Sequence, residues 1–136
     1  MNTLINEDFP AHLESIQTVL DVVGTENIHQ VMAIPDEQGR VPLPCIEFSI
    51  QTGNVQRSIS GDILQMDHNI TIILSSENYV DTLTVYDALV EELDQGEAEN
   101  AEGGTYCYEF LGQDPDYDLE SRAFYRVINF RVTEKY

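Results

Sequence analysis

The chain has 136 residues, 42% of them hydrophobic, with seven Tyr, five Phe and no Trp, which is the size and composition of one folded domain. It carries 25 acidic and only 6 basic residues, a formal charge of −19, so binding nucleic acid by neutralising phosphates is excluded, and an anionic membrane would repel it. No apolar run approaches the roughly 18 residues of a membrane helix, and the opening MNTLINEDFP has neither the basic start nor the apolar stretch of a secretory signal.

Residues 9–23 place Leu13, Ile16, Val19, Leu20 and Val23 at helical spacing. Asp8 is the expected cap, with Pro10 in the first turn and Gly24 as the stop. Ile28–Ile34 is short and apolar and reads as a strand; PDEQGRVPLP then breaks the chain. From Cys45 to about residue 51, Ile46, Phe48 and Ile50 alternate with Glu47 and Ser49, the pattern of a half-buried strand. Segment 52–66 is polar and glycine-bearing but keeps Val55, Ile59, Ile63 and Leu64, which a solvated loop would not favour, and it reads as a protruding arm. A β-prone strand follows over 68–75.

Asn78 is a candidate cap for a helix over 79–94, with Tyr79, Leu83, Tyr86, Val90 and Leu93 as its apolar stripe. Residues 95–104 are acidic and glycine-rich and predict an exposed, mobile loop. TYCYEFLG (105–112) is a strand, and DPDYDLES is a second acidic loop. The last strand spans about 122–133, with Phe124, Ile128, Phe130 and Val132 on one face, interrupted by Arg126. The order α–β–β–(arm)–β–α–β–β predicts a single α+β domain over 1–136: one mixed, mostly antiparallel sheet with both helices on one face.

No motif dictates a reaction. His12, His29 and His68 lie in no HxxxH or HExxH pattern, and neither GxSxG nor a glycine-rich phosphate loop occurs. Asp114, Asp116, Asp118 and Glu120 resemble the start of a calcium loop, but Leu119 and Tyr125 stand where Gly and Glu are required. Cys45 and Cys107 lie in strand-like runs and read as reduced core thiols. The expectation is a non-enzyme without cofactor or metal. Arg122, Arg126, Arg131 and Lys135 crowd the last strand, and Arg57 lies in the arm. Arg57, Ile59, Ile63, Arg122, Arg126 and Arg131 are therefore the candidate contacts with another subunit or a partner protein, the alternative for the arginines being pairing within the chain. One Lys against so many carboxylates fits a salt-rich cytoplasm, where screening suppresses self-repulsion, and equally an ordinary acidic protein.

The layout as a whole resembles the tail terminator (tail completion) proteins of long-tailed viruses. The likeness rests on the helix ending at DVVGTENIHQV, the long helix ENYVDTLTVYDALVEELD between strands, and the closing TYCYEFLGQDPDYDLESRAFYRVINFRV. It spans nearly the whole chain and contains no diagnostic motif. The resemblance implies a ring, usually a hexamer, at the head-proximal end of the tail. Such a ring stops growth of the tail tube, offers a docking surface to a head-side connector or neck protein, and lets viral DNA pass through its lumen without specific binding. It implies assembly in the host cytoplasm, here that of a halophile if the acidity is read that way. Another head–tail joining protein, or less readily a small-ligand-binding domain, is the alternative.

Overall fold

In the computed structural model, residues 5–31, 33, 37, 41–100 and 102–136 are described. Ile5, Phe9 and Leu13 recur every four residues and are fully buried along one stripe of α1 (Ile5–Glu14). This helix starts earlier than predicted and holds Pro10 inside it. The expected single helix over 9–23 is in fact two. The Ser15 hydroxyl donates back to the His12 carbonyl at 2.6 Å, and Ile16 turns extended with its side chain in the core, before α2 (Gln17–Val22) begins. Gly24, at φ +83°, ends that helix as expected.

A short 3-10 turn (Thr25–Asn27) leads into β1 (Ile28–Gln30). It is shorter than predicted because Val31 takes φ +71° and leaves the strand, exposed; positions 32 and 34 of the predicted strand lie outside the described residues. The remaining elements are β2 (Cys45–Arg57), β3 (Ile63–Ser76), α3 (Tyr79–Leu93), β4 (Glu97–Glu99), β5 (Thr105–Asp118) and β6 (Ala123–Lys135). The sheet order is β1-β2-β3-β6-β5-β4; β1 runs parallel to β2 and every other pair is antiparallel.

Alternation decides which face is covered. Ile46 and Phe48, Ile70, Ile72 and Leu74, Ile128 and Phe130 share one core with Phe9, Leu13, Val19, Val85 and Leu89 from the helices. All the helices thus pack on one face, as the sequence predicts. On the opposite face Ser49, Gln51 and Asn69 are exposed.

Three expectations are corrected. First, the buried stripe of α3 is Thr82, Val85, Leu89 and Leu93, whereas Tyr79 and Leu83 are exposed. Thr82 tolerates burial because its hydroxyl donates to the Tyr79 carbonyl at 2.7 Å. The Asn78 cap is as predicted, its side chain accepting from the Val80 amide at 3.0 Å. Second, residues 95–100 and 102–104 are tethered rather than a free loop, position 101 of the expected loop lying outside the described residues. β4 pairs with β5 through Glu97–Cys107, and buried Asn100 accepts from the Glu102 and Gly104 amides and donates to Glu134. Gly104 lies so close that a Cβ there would sit 2.5 Å from the Lys135 carbonyl. Third, Asp114–Asp118 is strand, which confines the second loop to 119–122. A β-bulge between Phe110 and Gly112 shifts the alternation there: Tyr106, Tyr108 and Phe110 face the helices before it, and Gln113, Pro115 and Tyr117 after it.

Candidate functional site

The arm is a continuation of β2 and β3. Pairing carries on to Arg57–Ile63, across irregular register near Gln56, and the turn 58–62 closes it. Gly61, at φ +93°, supplies the left-handed residue of that turn. Arg57 donates from Nη1 to the Gly61 carbonyl at 3.0 Å, so it braces the tip. The Ser58 and Ser60 hydroxyls bond to each other at 2.8 Å, and Ser60 donates to Asp62 at 3.2 Å. Ile59 stands at the apex with its side chain wholly in solvent, Val55 and Leu64 are partly exposed, and Ile63 is half-buried. Arg57, Ile59 and Ile63 are thus brought together on one hairpin.

The three arginines of the last strand are not brought together. Arg122 is exposed in the turn before β6, at φ +53°, beside a cleft of about 940 Å³ that is also lined by Cys45, Glu47, Glu77, Asp118 and Tyr125. Burial pushes the Cys45 thiol up to about 11, and nearby Glu47 adds to the shift. Arg131, on the open face, donates from Nη2 to Glu109 at 2.7 Å; both side chains are about half exposed. That bond, with the Glu109 charge, holds the guanidinium more firmly protonated than usual. Arg126 is on the other face, 2% exposed. Its Nη1 donates to the Gln113 side chain at 2.7 Å, and its guanidinium carbon lies 5.5 Å from the Tyr79 ring centre and 5.1 Å from that of Tyr86. Nε and Nη2 have no hydrogen-bond partner among the described residues. The sequence marks Arg126 as a break in an apolar face; what surrounds it depends on the bulge and on the helix above, which no local pattern encodes.

Sequence reasoning misses a buried polar pair. His68 and Glu134 are fully buried, with Nε2 3.0 Å from Oε1. Thr52 takes the other ring nitrogen at 2.8 Å, so both nitrogens of His68 are occupied inside the protein. A second cluster joins the first helix to β5. The Tyr106 hydroxyl donates to Asp8 at 2.7 Å, and His12 Nδ1 bonds the Tyr108 hydroxyl. Burial holds His12 below the usual histidine range, against the pull of Asp8, and pushes the Tyr106 and Tyr108 phenols well up. Among the described residues no group of three or more His, Cys, Asp or Glu is placed to hold a metal ion. Exposed apolar side chains mark both ends of the sheet: Ile59 at the hairpin tip, and at the other end Tyr79, whose ring lies over buried Arg126, with Leu83 one helical turn on and Tyr117, which like Tyr79 packs on Phe124.

No protein-family model and no curated protein matches this chain. Among solved structures it is similar to a chain of the "Virion of native gene transfer agent (GTA) particle", with a TM-score of 0.65 and 15% sequence identity, over 93% of this chain and 90% of that one. The two chains share a fold over that span.

Proposed function

We propose that this chain is a structural subunit of a virion. More finely, we propose that it forms a tail-terminator ring that caps the tail tube, stops its elongation and presents a docking surface to the head-side connector. The observation that carries the reading is the likeness in fold, nearly full length on both sides, to a chain from a virion particle. The hairpin supports it, because an apex residue such as Ile59, wholly exposed, gains only when another surface covers it. In this reading the ring is a homohexamer at the head-proximal end of the tail, assembled in the host cytoplasm, with DNA passing through its lumen. The charge of −19 suits a passage that DNA must not stick to, and a halophilic host. The protein is not an enzyme in this reading.

Light scattering of the purified chain at low and molar salt, followed by sedimentation with assembled tail tube, tests it. The ring predicts about six times the 15.4 kDa protomer mass and co-sedimentation with the tube. A variant lacking residues 54–63 should remain a folded protomer and lose both. A ring that bound only the connector side would move the assignment to another neck protein; a chain that stayed a protomer at every salt concentration would overturn it.

A further inference from the structure

Arg126 is a buried cation with no buried anion beside it among the described residues. Only its Nη1 is hydrogen-bonded, to the neutral Gln113 side chain, and Nε and Nη2 are unpartnered among the described residues. The Tyr79 and Tyr86 rings offer it their faces, but ring faces do not replace the two acceptors that a guanidinium edge normally meets. Buried unsatisfied donors call for a cause. The cover over this one is also unfinished: Tyr79 is 44% exposed, and beside it Leu83, one helical turn on, is 38% exposed and Tyr117, which like Tyr79 packs on Phe124, is 40% exposed. An apolar surface above an unpaired cation suits an occupant that brings both an apolar side chain and a carboxylate.

The hairpin tip brings both. Ile59 is fully exposed and Asp62 lies three residues on, at the exposed end of the same turn. The tip is also the part of this acidic chain best able to approach another copy, because no carboxylate occurs from Phe48 to Gly61. β3 runs from the hairpin at Ile63 to Ser76, two residues before the cap of α3, so tip and patch lie at opposite ends of a 14-residue strand, roughly 45 Å apart. One copy therefore cannot close on itself. A contact between unlike ends is heterologous and closes into a ring when the rotation permits.

We propose that Tyr79, Leu83, Tyr117 and Arg126 form a socket for the hairpin tip of a second copy of this chain, with Ile59 entering between the rings and Asp62 accepting from the free edge of Arg126. The proposal rests on the ring reading above and names the contact that would build the ring.

The test uses the full chain. Arg126→Met keeps most of the side chain's length and removes the charge; Leu83→Asp places a carboxylate in the exposed rim; Asp62→Asn removes the incoming anion. Each should raise the concentration for half-assembly at least tenfold by light scattering in 1 M NaCl. Arg126→Met should at the same time hold or raise the melting temperature of the protomer, measured in the variant lacking 54–63, because it removes an unpaired buried charge. An Arg126→Met protomer that melts several degrees lower, together with normal assembly of Leu83→Asp, would show that Arg126 only holds the tyrosines in place and would overturn the socket. If Arg126→Met does not fold, Leu83→Asp and Asp62→Asn decide. Wild-type assembly with all three variants behaving normally sinks the socket and leaves the ring standing; a wild-type protein that never assembles sinks both.

Discussion

His68 and Glu134 meet across adjacent strands, Nε2 to Oε1 at 3.0 Å, with neither side chain reaching solvent. Glu134 is also the anchor for Asn100, whose amide donates to its other oxygen at 2.8 Å. The carboxylate therefore ties the sheet centre to Asn100 and the glycines bonded to it, and through His68 and Thr52 to the base of the hairpin.

Glu134→Ala should destabilise the protein by about 3–5 kcal/mol in urea unfolding, the range for removing one member of a buried pair. His68 and Asn100 would both lose a buried acceptor. Amide exchange at Gly103 and Gly104 should rise with it, since Asn100 accepts from both. A loss below about 1 kcal/mol would mean that water replaces the carboxylate.

Acidification should weaken the fold before the bulk of the carboxylates titrate. His12 is held below its ordinary value, chiefly by burial, so the unfolded chain binds the proton more readily than the folded one. Its contribution is complete above the unfolded value near 6.5 and is lost as the pH falls through the lower, folded one. The loss is at most about 1.4 kcal/mol per pH unit for one proton. Unfolding free energies between pH 7 and pH 5 should fall for the wild type and run flatter for His12→Gln. Parallel curves would exclude His12 as the source.

Salt should stabilise this protein. Among the described residues Arg131–Glu109 is the only ion pair made by an arginine or lysine, and it is exposed and so weak. Even with all six basic residues paired, nineteen carboxylates would be left over. Screening then relieves more repulsion than it removes attraction. Melting temperature and assembled fraction should both rise from about 0.05 M to about 1 M chloride, where the Debye length is about 3 Å. Chloride avoids the added strengthening of apolar burial that sulfate brings. A fall over this range would show that specific Arg–carboxylate attraction outweighs the repulsion between carboxylates.

The parts of the fold that were legible in the sequence are those encoded by local alternation. Ile46, Phe48 and Ile50 announced β2, and Ile70, Ile72 and Leu74 announced the core of β3. Asn78 announced the start of α3 through its own side chain. What escaped depends on partners distant in sequence. DPDYD looks like a loop by composition, yet it is strand because β6 supplies the ladder opposite it. Residues 95–104 look mobile until Glu134 is placed beneath Asn100. Tyr79 and Leu83 look like core residues because their spacing is helical, but the sheet lies against the neighbouring stripe. For the candidate site, the exposed apolar arm was readable around Ile59, whereas the parity that separates Arg126 from Arg131 and the tyrosine cover over Arg126 were not.

The bulge between Phe110 and Gly112 turns the length of β5 into information. Past it, the even-numbered Asp114 and Asp116 point away from the helices, while Gln113 comes round to meet Arg126. Were the bulge flattened with Leu111 drawn into the ladder opposite Asn129, Asp114 and Asp116 would fall into the phase of Arg126 and Phe124, and carboxylates would be driven toward the apolar underside of α3. At this place the chain tolerates a change of spelling far better than a change of pairing: Leu111, half exposed, can be exchanged for many residues or even left out, since Gly112 would still face Asn129 and Gln113 would still face Ile128, but it cannot be drawn into the ladder.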